Sequence, residues 1–180
     1  MKRALLLLWN LLDIAQQAVM VATSVAIVIL ILAQVSLRYV FMMPLMGVEE
    51  LACLFGFWLY FTGAANGARE RNHIKADLLN VFIKSERVLH YAKATASFFL
   101  IVLSAIFAQW TVSYFIWSMG SWERSPALSI PMVFAQASLM VNSILMFVYF
   151  FIEFVDYARQ AIGYPPLRLA GHVTLEKEGE

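Results

Sequence analysis

Four runs of this chain carry no charged residue: 14–37, 51–68, 94–122 and 125–152, with lengths of 24, 18, 29 and 28 residues. No other feature restricts the fold as strongly. An α-helix rises about 1.5 Å per residue, so about 20 apolar residues cross the roughly 30 Å hydrocarbon core of a bilayer. Strands of a membrane barrel would show segments of about 10 residues with alternating polarity, and these runs do not alternate. Within lipid, helices are then the remaining way to satisfy the backbone. The expectation is an all-α integral membrane protein with four transmembrane helices over about 14–37, 51–68, 94–119 and 131–152. Composition agrees, at 62% hydrophobic and 14% charged, against about 45–50% and about 25% in a soluble domain.

The segments between the runs are patterned as well. On a helical wheel Lys2, Arg3, Asn10, Asp13 and Gln17 share one sector, with Leu5, Leu8, Trp9 and Leu12 outside it. This predicts an in-plane amphipathic lead-in over 1–13, with Leu6 as the exception. The same start has the basic end and apolar run of a secretory signal. Because 14–37 is a full span without it, uncleaved insertion is expected. Between the second and third runs, Ile74, Leu78, Val81, Phe82, Val88 and Leu89 oppose Lys75, Asp77, Asn80, Lys84 and Arg87, predicting an interfacial helix over about 72–92. A membrane domain over 14–158 is followed by a polar tail over 159–180.

Charge places the ends. Of 13 Lys and Arg residues, 11 lie in the N-terminal segment, the 69–93 connector or the tail, and only Arg38 and Arg124 lie in the other two connectors. The positive-inside rule then puts both termini in the cytoplasm. Arg38 closes the first span, and Glu49 and Glu50 open the second, each with the sign that suits its end of the helix dipole. Glu123 and Arg124 face the same outer side. Trp110, Tyr114, Trp117 and Trp122 form an aromatic belt at that end of the third span, and Pro131 suits the first turn of the fourth. Along the second span Ala52, Gly56, Gly63 and Gly67 share a face that would let another helix approach closely, inside this chain or from a partner.

Several functions are disfavoured. A net charge of +1 offers no basic surface to nucleic acid, and the single Cys53 can form neither an internal disulfide nor a multi-cysteine metal site. His73, His90 and His172 lie outside the spans, so no pair on facing helices could hold a haem within the bilayer. Ionisable groups, the usual mark of membrane transport or catalysis, are missing from the runs. Gln34, Asn66, Gln109, Gln136 and Asn142 read as helix-to-helix hydrogen-bonding residues. No HExxH, P-loop or GxSxG motif occurs. No catalytic, cofactor or metal residue is therefore predicted.

One combination is more specific. Arg38, Tyr39 and Phe41, then Glu49 and Glu50, then Trp58, Phe61, Gly63, Ala64 and Ala65, then Arg69, His73, Ile74 and Asp77 occur in order. Ser125, Pro126, Ala127, Leu128, Ile130 and Pro131 follow before the last span. In order and spacing this resembles the small membrane subunit of TRAP (tripartite ATP-independent periplasmic) transporters, over about residues 10–158. The chain departs from the family at Gly47, where a tryptophan is common. The resemblance implies a sodium-driven importer of organic acids in the bacterial inner membrane. Its parts would be a periplasmic substrate-binding protein, a large membrane subunit holding the substrate and sodium sites, and this subunit as a lipid-embedded static scaffold without cofactor or catalysis. Candidate interface residues are Arg38, Glu49, Glu50, Gly56, Gly63, Gly67, Glu123 and Arg124, with Arg69, His73 and Asp77 marking the cytoplasmic end. A redox-enzyme membrane anchor, revealed by haem absorbance, and a homo-oligomeric channel, revealed by purification without a many-span partner, are the alternatives.

Overall fold

The computed structural model describes residues 2–43, 46–70 and 86–162, and every long element in it is helical. Helix α1 spans Lys2–Tyr39, α2 Val48–Arg69, α3 Glu86–Ser121 and α4 Val133–Ala161. All four contain a stretch long and apolar enough to cross a membrane. At about 1.5 Å per residue, α1 is about 57 Å long and α2 only about 33 Å.

The helix ends follow local chemistry. No Gly or Pro interrupts 2–39, so the predicted lead-in and the first span form one unbroken helix. Its last turn carries Arg38, and its next residues leave through Met42 at φ 52°. Gly47 precedes α2 at φ 102°, a conformation that costs glycine least. Glu49 and Glu50 occupy the first turn of α2 and Arg69 the last, matching the dipole at both ends. Trp122, at φ 46°, closes α3 by donating its N–H to the Ser118 carbonyl at 3.0 Å. Helix α4 starts at Val133, so Pro131 stands just outside the first turn and its carbonyl accepts the Phe134 N–H at 3.4 Å. Of the predicted interfacial helix, 72–85 lie outside the described residues, as do His73, Asp77 and the tail from 163. From Glu86 onward the chain already belongs to α3.

The helices pack in a row, α1 on α2, α2 on α4 and α4 on α3. Residues buried on α3 recur every seventh position at Ser97, Ser104, Thr111 and Ser118. Helix α4 sits between two neighbours and carries two such series, Ala135, Asn142, Tyr149 and Asp156, and Gln136, Ser143 and Phe150. Seven-residue spacing keeps one seam facing a neighbour over many turns. The seams are filled by small and polar side chains, while Val25, Ile29, Leu32, Phe99 and Leu103 point outward. That inversion suits a lipid solvent, where close approach and hydrogen bonds replace the hydrophobic drive between helices. An apolar cluster of Ala65, Ala68, Tyr149 and Phe150, backed by Trp9 and Leu145, anchors one end.

Candidate functional site: two clamps across the helix row

Glu50 organises the end of the row that carries the two short connectors. Its carboxylate accepts the Ser125 hydroxyl at 2.6 Å and the N–H groups of Ala127 at 2.8 Å and Leu128 at 3.0 Å. Pro126, which has no N–H, turns the chain so that the next two amides converge on one anion, much as first-turn amides converge on a helix cap. The Ser125 hydroxyl also accepts the Ile130 N–H at 3.3 Å, the Ser125 N–H reaches the Ile130 carbonyl at 2.9 Å, and the Met132 N–H reaches the Glu123 carbonyl at 2.9 Å. The connector from Glu123 to Met132 is thereby folded onto α2. Leu128 caps the arrangement by lying over Gly47, where an added Cβ would sit 2.5 Å from the leucine Cγ.

Glu49, the other acid, accepts the Gln34 amide of α1 at 2.7 Å. Arg38 sits 5.8 Å from the Tyr39 ring centroid, a cation–π contact within its own helix. Glu123 and Arg124 join the turn through their backbones, Arg124 opposite Pro131, and leave their side chains exposed. Among the described residues none of Arg38, Glu123 and Arg124 forms an ion pair. Beneath the turn Cys53, Leu54, Phe57, Ile130, Met132 and Ala135 line an apolar groove whose rim is Glu49, Glu50 and Ser125.

The second clamp lies at the other end. Arg69, with a side chain only 8% exposed, pairs with Asp13 of α1 and lies 4.0 Å from Glu70. Its Nε donates to Asn66 at 3.3 Å, and Asn66 donates to Glu70 at 3.0 Å. The Tyr149 hydroxyl donates to Gln16 at 3.3 Å, and the ring meets Trp9 edge-on at a centroid separation of 5.4 Å, so α4 also reaches α1. Between the clamps Trp58 donates to the Phe134 carbonyl at 3.2 Å, Asn142 to Thr62 at 3.3 Å and Gln136 to Tyr114 at 3.1 Å, while Thr111 and Ser143 are 2.6 Å apart.

Of the five predicted hydrogen-bonding residues, Gln34, Gln136 and Asn142 do bridge helices, whereas Asn66 bonds within α2. Gln109 is exposed. The small residues that pack α2 inside this chain are Ala65 and Ala68, with Thr62 beside them. Among the described residues, and apart from its own helix backbone and chain neighbours, a Cβ added at Gly56 or Gly67 would meet no atom within 4 Å, and one at Gly63 only Met20 Sδ at 3.9 Å. Sequence reasoning missed Asp13, Gln16 and Tyr149 as clamp members, and the charge-free run 125–152 stops the last span just short of Glu153. Glu153 and Asp156 are buried at 7% and 2% exposure, because α4 continues past the first charge to Ala161.

Each carboxylate oxygen of Glu50 already accepts hydrogen bonds, which makes this group a tie between elements rather than an available base. Together these contacts bind connectors to helices and helices to one another.

No individual curated protein matches the chain. Residues 27–160, however, match the family described as tripartite ATP-independent periplasmic transporters, DctQ component. The matched region contains Glu50, the turn that Glu50 holds and the Arg69 end of α2, and the chain belongs to the DctQ family of small TRAP transporter membrane components.

Proposed function

We propose that this subunit is a non-catalytic scaffold for the large membrane subunit of a sodium-driven importer of organic acids. It sits in the bacterial inner membrane with both termini cytoplasmic. The observation that carries the reading is the cross-bracing. Glu50 and the Asp13–Arg69 pair hold the two ends of the row, and side-chain hydrogen bonds join α2 to α4 and α4 to α3 between them. Such a row resists shear when a neighbouring part moves, and substrate and sodium sites belong to the large subunit. Arg38, Glu123 and Arg124, exposed at the connector end, are the groups offered to the periplasmic binding protein or to the outer rim of the large subunit.

Co-purification tests this directly. Tagged chain, co-expressed with the large membrane subunit and the binding protein of its transporter, should retain the large subunit in equal amount through detergent extraction. Recovery of the chain alone, as a monomer or a homo-oligomer, would overturn the proposal.

A further inference from the structure

The spans contain seven side-chain amides, Gln16, Gln17, Gln34, Asn66, Gln109, Gln136 and Asn142. Six are hydrogen-bonded, to Tyr149, Asp13, Glu49, Glu70, Tyr114 and Thr62 respectively. Gln109 is different. It is exposed on α3, and no hydrogen bond to a described residue reaches it. The apolar part of α3 runs Ala94–Ser121, which puts Gln109 about 22 Å from one end and about 18 Å from the other, so Trp110 beside it lies in the span interior and the expected aromatic belt narrows to Tyr114, Trp117 and Trp122. A glutamine side chain extends only about 5 Å, so the amide cannot snorkel to the headgroups as a long basic chain at a helix end can. Lipid tails offer it neither donor nor acceptor, and polar groups in hydrocarbon are retained where protein satisfies them.

Its surroundings favour a close helix neighbour. Ser113, one turn further, is exposed, and a Cβ added at Gly120 would meet no described atom within 4 Å beyond its own helix backbone and chain neighbours. Ile106 and Ile116 flank them at 42% and 65% exposure. Helix α3 forms one edge of the row and α1 the other. The outward mid-span residues of α1, Val21, Val25, Val28, Ile29 and Leu32, are wholly apolar and suit lipid. The two edges therefore differ in kind.

From this contrast we infer that the Gln109–Ser113 face of α3 is the surface that docks on the large membrane subunit, with a hydrogen bond to the Gln109 amide near the bilayer midplane. The inference rests on the scaffold reading. That reading supplies the occupant, because the other membrane component of a tripartite transporter is the large subunit, whose helices can offer the backbone or side-chain group that lipid lacks.

Photo-crosslinking tests it, with p-benzoylphenylalanine placed at 109, 113, 28 or 32 in chain co-expressed with the tagged large subunit. Positions 109 and 113 should form the chain-to-large-subunit adduct, and 28 and 32 should not. In parallel, Gln109→Leu should leave the melting of the isolated chain unchanged but weaken retention of the large subunit about threefold, and at most roughly twentyfold, as expected for one interhelical hydrogen bond in lipid. If the large subunit co-purifies but crosslinks only from 28 or 32, or if 109 yields no protein adduct or a chain-to-chain adduct, the assigned surface is wrong and the scaffold reading stands. If no large subunit co-purifies, both fall.

Discussion

Gly47→Ala isolates the junction of the two short connectors. At φ 102° an alanine pays for a backbone that L-residues avoid, about 1–2 kcal/mol. Its methyl would also sit 2.5 Å and 2.7 Å from Leu128 Cγ and Cδ2, so the leucine must move off the turn. Forcing a methyl into such a contact costs a further 1–3 kcal/mol or so, for a total of about 2–5 kcal/mol. Leu128 is 38% exposed and can swing outward, which favours the lower half of that range. The second cost disappears when Leu128 is shortened. In a Leu128→Ala background, Gly47→Ala should therefore cost only about 1–2 kcal/mol, giving a coupling of about 1–3 kcal/mol between the sites. Equilibrium unfolding of the four proteins in mixed micelles, followed by far-UV circular dichroism, measures the cycle. A Gly47→Ala variant within about 0.5 kcal/mol of the parent, or strictly additive effects, would refute the described packing of the two connectors.

Three further outcomes follow from the same contacts. Glu50→Ala should speed amide hydrogen exchange at Ala127 and Leu128, while Glu49→Ala should leave both slow; equal protection in the two variants would remove Glu50 as the clamp. Arg69→Leu strands Asp13 without its partner and should cost about 2–3 kcal/mol in the same unfolding assay, whereas Asp13→Leu with Arg69→Leu should recover most of the loss. In the α3–α4 seam the buried Ser118 hydroxyl has no hydrogen-bond partner among the described residues, so Ser118→Ala should change stability by less than about 0.5 kcal/mol, while Ser118→Leu should overpack the seam and cost about 1–3 kcal/mol or more.

The spans are legible in the sequence because lipid leaves a charge-free run almost no alternative to a helix. The signs of charge at the ends of α2 are legible for an equally local reason, the dipole. Neighbour relations are not local. Glu50 meets Ser125 across 75 positions and Arg69 meets Asp13 across 56, and no periodicity encodes either distance. Asp13 on a helical wheel looks like part of a wet face, since nothing in 1–17 announces that an arginine will cover it. Counting charges also stops a span at the first acid, which is why Glu153 reads as a boundary although α4 carries it into a packed seam. The seven-residue series Ser97, Ser104, Thr111 and Ser118 is present in the sequence. A search for apolar stripes passes over it because helix seams in lipid select small and polar residues. The small residues of α2 divide: Ala65 and Ala68 make the packing inside this chain, since a methyl still permits close approach, while Gly56 and Gly67 stay open among the described residues, so only the partner half of the expectation is left to them.

A chain that braces a transporter should not itself move substrate. Sodium-dependent uptake of a radiolabelled organic acid into proteoliposomes decides it, with the chain alone, the large subunit alone, or the two together, each supplied with the binding protein. Uptake is expected only when both membrane subunits are present, and should be lost when the Glu50 and Asp13–Arg69 clamps are broken together. Uptake by the chain alone, or full-rate uptake by the large subunit without it, would contradict the scaffold role.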